Sequence, residues 1–485
     1  MTPVNLLPAG PSHTGAVPTP PATAAVEFDA ELLARYDVTG PRYTSYPTAP
    51  SFRDDFGERQ YRLAARESNE DPIPRPLSLY VHVPFCESPC FYCGCTRLIT
   101  REHGNAARYL EHLEREIALQ GALFDPDRPV VQLHLGGGTP NFLAIDEMAR
   151  LTEALAGHFN LELEDDRDYS IELDPRYLAP GFIGELADLG FNRVSFGVQD
   201  LDPDVQRAIN RVQPLGQTQE AVAAAREAGM RSVNLDLIYG LPKQDPESFA
   251  RTLESVTALR PERIALYAYA HLPERFKAQR QISAGDLPPP SVKLALLGTA
   301  IRELTRAGYR YIGMDHFALP GDSLARALDA GTLQRNFQGY STHGRCDLVG
   351  LGMSAISHVG GCFAQNLRDL PGYYQRLEQR VLPIARGLAL DAEDELRAEL
   401  IQSVMCRGHV QFDEFERRFG IRFDAHFGRE MASLARLAAD GLVDLGEYGF
   451  TVTPRGRLLL RVVAMAFDAS FQRSASPARG FSRVI

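Results

Sequence analysis

The sequence predicts an α/β protein built on a parallel sheet, and three observations lead there. Short apolar runs alternate with amphipathic helical stretches from residue 77 to 308. Glycines or polar residues stand at or just past the ends of those runs. Four of the seven cysteines fall in the ten residues Cys86 to Cys95, soon after the first run. Strand–helix alternation makes βαβ units, and in a β/α barrel the C-terminal rim of the strands carries the site.

Composition sets the outer bounds. The 485 residues suffice for one large domain and a smaller one, and 44% hydrophobic against 23% charged residues is an ordinary globular balance. No apolar run is long enough to span a membrane, and no basic segment followed by an apolar core opens the chain. The expectation is a cytoplasmic monomer. A net charge of −11 speaks against a general nucleic-acid binder, which would carry a basic face. It leaves room for an anionic substrate met by local arginines.

In chain order, residues 1–28 are rich in Pro, Ala and Thr without periodicity and read as a disordered tail. Residues 29–76 form an arm whose Gly40-Pro-Arg-Tyr-Thr-Ser-Tyr-Pro-Thr48 suggests an extended segment across a larger body. Residues 77–389 hold the barrel and its extensions. Strands are predicted at 77–83, 130–135, 169–173, 193–198, 233–239, 264–270 and near 310–314, with helices at 106–122, 146–158, 217–229, 247–259 and 292–308. Residues 390–485 change character: helices at 390–406, 415–420 and 429–441, a hairpin over 442–454 and a final helix give a mostly helical, winged-helix-like domain. Its acidic start (Asp391, Glu393, Asp394, Glu395, Glu399) favours a structural or lid role over nucleic-acid recognition.

The cysteines carry the chemistry. Cys86, Cys90 and Cys93 are spaced CxxxCxxC, with Cys95 two residues on. A structural zinc site asks for two separated pairs, and Cys346, Cys362 and Cys406 stand alone, as small packing residues do. Seven cysteines in a chain of this length make a poor disulfide framework. A redox CxxC pair stays open but leaves Cys86 unused. Three thiolates on one loop can hold three irons of a cubane cluster and leave the fourth open for chemistry.

With an aromatic before the third cysteine and Gly136-Gly-Gly-Thr-Pro140 after the second strand, the chain resembles the radical S-adenosylmethionine superfamily. Further motifs narrow this: Pro41-Arg-Tyr-Thr-Ser-Tyr-Pro, Tyr80-Val-His-Val-Pro-Phe-Cys, Cys93-Gly-Cys95, Ser170-Ile-Glu-Leu-Asp-Pro, Gly197-Val-Gln-Asp, Asp236-Leu-Ile-Tyr-Gly-Leu-Pro, Gly313-Met-Asp-His-Phe, Asn336-Phe-Gln-Gly-Tyr and Phe481-Ser-Arg-Val-Ile. Together they are similar to the oxygen-independent coproporphyrinogen III oxidases, from about Tyr36 to the C-terminus.

The resemblance implies an incomplete (β/α)6-type barrel and a [4Fe–4S] cluster on Cys86, Cys90 and Cys93. It implies one or two molecules of S-adenosylmethionine near Tyr80, Tyr92, Gly137, Gly138, Thr139, Glu172, Gln199, Arg211, Asp236, Ala270 and Ile356. Phe337 and Gln338 would lie by a second molecule, and Tyr80, Cys95, Phe337 and Gln338 near the reaction. Position 92 is Tyr where some members have Phe. The implied reaction turns two propionates of coproporphyrinogen III into vinyls through a 5′-deoxyadenosyl radical, with an electron donor such as flavodoxin or ferredoxin. Arg42, Arg275, Arg280, Arg345 and Arg483 are candidates for the propionates, while His271, His316 and His343 are at least as well read as structural. Two alternatives stand beside this: the related haem-transfer protein, which typically lacks the fourth cysteine and the long arm, and a non-catalytic iron–sulfur or zinc protein.

Overall fold

The computed structural model describes residues 26–473 and 481–484. Most of the tail expected over residues 1–28 lies outside the described residues. Its last three belong to the fold: the Glu27 N–H donates to the Pro454 carbonyl over 3.1 Å, and the Phe28 ring fills the space beside Gly298.

Six strands, Leu77–Val83 (β1), Pro129–Gly137 (β2), Asp168–Leu173 (β3), Arg193–Gln199 (β4), Ser232–Tyr239 (β5) and Arg263–Ala268 (β6), pair in parallel in sequence order. Helices Gly104–Gly121, Ile145–His158, Phe182–Asp188, Leu215–Glu227 and Pro246–Ala258 return the chain between them. The last shows why these segments are helical. The Asp245 carboxylate caps the N–H groups of Glu247 and Ser248, proline takes the first turn, and Phe249, Leu253 and Val256 recur at helical spacing and are buried.

The seventh expected strand departs from the pattern. Arg310–Gly313 (β7) turns through Met314, at φ 49°, straight into His316–Ala318 (β8), and β8 takes the place beside β6 in antiparallel sense. A two-residue turn can close a hairpin but is far too short for a parallel crossover. At the other edge the sheet extends beyond the strands expected. Asp347–Leu351 (β9) joins β1 in parallel, and Ile356–Val359 (β10), Cys362–Asn366 (β11) and Ile384–Ala389 (β12) follow antiparallel. The path runs β7-β8-β6-β5-β4-β3-β2-β1-β9-β10-β11-β12, and among the described residues its two ends do not pair.

Period-two alternation gives the central strands two unlike faces. Ile171, Leu173, Val194, Phe196, Leu235, Leu237, Ile264 and Leu266 form a buried apolar face. Ser170, Glu172, Ser195, Asn234, Asp236 and Tyr267 form the opposite face, which is polar and half-open. A packed barrel interior would be filled with branched apolar side chains; this face is lined for a polar ligand.

The arm and the C-terminal segment meet on the same body. Thr39 bridges Arg483 in antiparallel sense, and the buried Arg461 guanidinium donates to the carbonyls of Gly40, Pro41 (2.9 Å) and Arg483 (2.9 Å). The C-terminal domain sets helices Ala392–Cys406, Phe412–Phe419 and Gly428–Ala439 against a small antiparallel sheet of His409–Gln411, Gly449–Val452 and Val443–Leu445.

Candidate active site

The chain leaves β1 into the cysteine loop, whose shape is fixed by groups outside it. Arg97 donates to the carbonyls of Cys90 and Cys93, both over 3.1 Å; the Phe91 N–H donates to the Ile209 carbonyl over 2.9 Å, and the Asn210 amide to that of Pro89 over 2.8 Å. All four thiols are free; Cys86 and Cys90 are buried, Cys93 half-buried and Cys95 exposed. The Thr139 hydroxyl donates to the Cys86 sulfur over 3.2 Å, while burial pushes that thiol up to about 12. Arg211 and Arg176 reach the Cys90 sulfur at 3.6 and 3.7 Å and share Asp174 as counter-ion. Cys95 donates its backbone N–H to the Cys93 sulfur over 3.4 Å, and its thiol stands beside that sulfur. That contact, with Arg97, lowers Cys93 toward the thiolate and raises Cys95.

The glycine run joins this loop to the polar face. Gly137 has φ +113°, and a Cβ there would lie 2.5 Å from the His82 ring; at Gly138 it would lie 2.7 Å from the Phe85 carbonyl oxygen. Only glycine lets the strand end pass so close to the loop. The Gly137 N–H donates to Glu172 over 3.3 Å, and His134 holds the other carboxylate oxygen at 3.3 Å. Burial acts to raise the Glu172 carboxyl, but His134 and that N–H outweigh it and the group is lowered. Its side chain is 46% exposed although set in the middle of the sheet, so it opens onto the half-open polar face.

Tyr80 stacks on His134 with ring centroids 5.9 Å apart. Its hydroxyl lies 3.1 Å from His82 Nδ1, and His82 Nε2 lies 2.9 Å from the Thr96 carbonyl. A carbonyl only accepts, so Nε2 carries the ring proton and Nδ1 accepts from Tyr80. Burial lowers His82 and keeps it neutral.

Asp236 accepts from Ser195 at 3.2 Å and Asn234 at 2.8 Å. Burial, then the Glu172 charge, raises it to about 7. Two carboxylates on one face are thus shifted in opposite directions, a pattern that marks functional sites. Gln199 ends β4 at φ +69°, beyond an irregularity in the pairing, and its amide folds back over Gly197. The Arg211 guanidinium is committed to Asp174, the Gly197 carbonyl and the Cys90 sulfur, while its Nε has no partner among the described residues.

The remaining expected residues come from the strands beyond β1 and from a separate hairpin. Gly350 pairs with Tyr80 across β9 and β1, and its Cα lies against the Ile356 carbonyl; a Cβ there would sit 2.6 Å from that oxygen. Phe337 and Gln338 form the turn between Gln334–Asn336 and Gly339–Ser341. Phe337 meets Phe363 edge-on at 6.0 Å, and Gln338 Nε2 is buried without a partner among the described residues.

Sequence reasoning missed Gln279. Its buried amide donates to the carbonyls of Tyr92 (2.8 Å) and Ala270 (3.1 Å), and so brings the cysteine loop and the end of β6 to one point. Nothing in the local pattern singles it out. Ser170 and Asn234 were also missed, although their even spacing with Glu172 and Asp236 along a strand was a usable signal; His134, on β2, was missed without one.

Of the candidate arginines, Arg42 pairs with Asp315 beside Tyr267, Arg483 with Asp37, and Arg280 with the Pro273 carbonyl; Arg275 lies over Phe276, and Arg345 is exposed. His271 bonds to the Tyr269 hydroxyl, and His343 to Thr342. Cys362 and Cys406 are buried in the core.

The family description "Radical SAM superfamily" matches residues 80–256, and "HemN C-terminal domain" matches residues 390–459. The oxygen-independent coproporphyrinogen III oxidase of Pseudomonas aeruginosa is 50% identical over 460 residues, which is 95% of this chain and 99% of the relative. That of Escherichia coli is 46% identical over the same share of each. The chain belongs to the oxygen-independent coproporphyrinogen III oxidase family. The solved structure of the Escherichia coli protein, HemN, described as a radical SAM enzyme, superposes with a TM-score of 0.87 over 92% of this chain and 99% of that one.

Membership of the radical SAM superfamily brings a [4Fe–4S] cluster and S-adenosylmethionine, and the residues fit both. Among the described residues no three His, Cys, Asp or Glu side chains converge as a lone metal ion requires. A cluster asks for no such convergence, since each thiolate meets its own iron, and the three free thiols with their neighbouring guanidiniums are the donor set it needs. The unpartnered Asn234 oxygen, the Glu172 carboxylate and the pinned Tyr92 and Ala270 carbonyls suit a ligand that carries an ammonium, hydroxyls and an amine. Among the described residues no helix is long and apolar enough to cross a membrane.

Proposed function

We propose that this protein converts coproporphyrinogen III to protoporphyrinogen IX without oxygen, by oxidative decarboxylation of two propionates to vinyls in haem biosynthesis. One continuous surface carries this reading. Thr139 holds the Cys86 sulfur at one end of the glycine run, and Gly137 holds the Glu172 carboxylate at the other. When bound, the cluster and S-adenosylmethionine supply a carbon-centred radical able to take hydrogen from an unactivated C–H bond.

The protein's own residues bind and orient. Cys86, Cys90 and Cys93 hold the cluster, and Arg97, Arg176 and Arg211 fix the loop and offset its negative charge. Glu172 and Asp236, shifted in opposite directions, receive the ammonium and the ribose hydroxyls of S-adenosylmethionine. Tyr92 and Ala270 offer carbonyls at a position set by Gln279, with Gly138, Gln199 and Ile356 completing the enclosure. Tyr80 is locked between His82 and His134, so its ring presents one fixed surface to the substrate. Phe337 and Gln338 line the approach from the other side. The arm, clamped by Arg461, supports Arg42 beside Tyr267 at the margin of the polar face.

The protein works as a cytoplasmic monomer, with a one-electron donor of the flavodoxin or ferredoxin type. The test is anaerobic reconstitution of the cluster, then incubation with coproporphyrinogen III, S-adenosylmethionine and a reductant. Protoporphyrinogen IX and 5′-deoxyadenosine should form. Cleavage of S-adenosylmethionine with no loss of carbon dioxide would favour the haem-transfer reading instead.

A further inference from the structure

Among the described residues no acid pairs with the buried guanidinium of Arg335. The residue is 7% exposed, and its Nε and Nη1 are fully enclosed with no hydrogen-bond partner among the described residues. A buried cation is costly unless something pairs with it, and orphaned donors of this kind mark places where a ligand completes the set. Arg42 and Arg483, by contrast, already have carboxylate partners within the protein.

The position of Arg335 points to the same face as the cofactor residues. Its guanidinium lies over the Tyr340 ring at 4.8 Å, and His316 meets that ring edge-on at 5.4 Å. His316 Nδ1 is likewise buried and unpartnered. His316 is in register with Ala265, Ala265 with Asp236, and Asp236 with Gly197. Residues in register across a sheet project to the same side, so His316 stands on the polar face with Asp236. Tyr267 continues the line, edge-on to His316 at 6.2 Å and beneath Arg42 at 5.6 Å. Burial and the neighbouring Arg335 lower His316 to about 3, so its ring is neutral and can offer one N–H beside the guanidinium.

We propose that Arg335, supported by His316, anchors one carboxylate of the substrate on the β8 side of the polar face. The inference rests on the reading of the substrate as a propionate-bearing porphyrinogen and names the residue that selects for it. A guanidinium on an aromatic ring, facing a carboxylate away from water, forms a strong charge-assisted contact.

The test uses the full-length, cluster-reconstituted protein under anaerobic conditions. Porphyrin fluorescence follows binding of coproporphyrin III, the stable oxidised relative of the substrate, and of its tetramethyl ester, in which the carboxylates are masked. Wild type should prefer the acid. Arg335→Gln should weaken binding of the acid about tenfold or more, with ester binding and iron content unchanged. Arg335→Lys, which keeps the charge, should recover part of the loss, and it serves alone where the neutral variant does not fold: it should discriminate acid from ester less well than wild type. Equal discrimination by either variant and wild type overturns the anchor. So does a variant weakened equally toward acid and ester, which assigns Arg335 to packing. A wild type that binds neither porphyrin removes the substrate reading, and the anchor with it.

Discussion

The side-chain amide of Gln279 lies 2.8 Å from the carbonyl of Tyr92, linking the short 3-10 turn Lys277–Gln281 to the cysteine loop. The same nitrogen holds the Ala270 carbonyl, and the Gln279 oxygen accepts from the Leu272 N–H over 2.6 Å. One side chain therefore sets the spacing of two expected cofactor contacts. Gln279→Ala should keep the iron content of wild type and weaken S-adenosylmethionine binding about tenfold, in line with the loss of hydrogen bonds to buried carbonyls. Anaerobic calorimetry on the reconstituted protein measures this, and unchanged affinity would show that the two carbonyls do not serve the cofactor.

Cys86, Cys90 and Cys93 should each be indispensable. Loss of any one thiolate leaves a second iron without protein ligation: of the other four cysteines, Cys346, Cys362 and Cys406 lie elsewhere in the fold, and Cys95 falls outside the CxxxCxxC spacing. Serine at any of the three positions should lower bound iron after reconstitution and abolish S-adenosylmethionine cleavage. A single variant with full iron and normal cleavage would strike that cysteine from the ligand set.

How far these sites were legible depends on how local their causes are. The six parallel strands announce themselves because each is a compact apolar run flanked by an amphipathic helix, and the cysteine spacing is a property of one loop. The strands Ile356–Val359, Cys362–Asn366 and Ile384–Ala389 escaped because they mix Ser, His, Gln, Asn and Arg with apolar residues, and the first two are joined by a two-residue turn rather than a helix. Their pairing is set by neighbours distant in sequence. Gln279 and Arg335 were invisible for a related reason: each is one polar residue in an unpatterned stretch, and its meaning lies in what the fold places around it.

Glu116 gives a pH dependence with a definite sign. It is fully buried in Gly104–Gly121 and accepts from the Tyr373 hydroxyl (2.6 Å), the Gly352 N–H (2.8 Å) and the Asn366 amide (2.6 Å). Burial nonetheless raises it from 4.5 to about 7. Between those values the unfolded chain releases a proton that the folded chain keeps, so ionisation favours unfolding. Stability from this group is full below about 4.5, falls as pH rises, and levels off above about 7. The loss is on the order of 3 kcal/mol. Denaturant midpoints at pH 5 and 8 should therefore fall more steeply in wild type than in Glu116→Gln, and parallel slopes would refute the assignment.

Cys95 should affect the substrate step and leave the cluster intact. Its thiol and N–H both face the Cys93 sulfur, and its own thiol is raised, first by that contact, so it stays protonated beside a neighbour held toward the thiolate. A fourth thiolate on the cluster would occupy the iron position that S-adenosylmethionine needs. The Cys95 side chain is exposed, and the charge of Glu172 contributes to its shift, which places it near the polar face where substrate would lie. Cys95→Ala should keep iron content and the slow cleavage of S-adenosylmethionine without substrate, yet lower decarboxylation of coproporphyrinogen III at least tenfold, a typical effect for a group placed at the reacting centre. Anaerobic assays of 5′-deoxyadenosine and protoporphyrinogen IX on the same preparation separate the two steps. Iron loss in Cys95→Ala as severe as in Cys93→Ser would place Cys95 among the ligands and overturn the argument from the open iron.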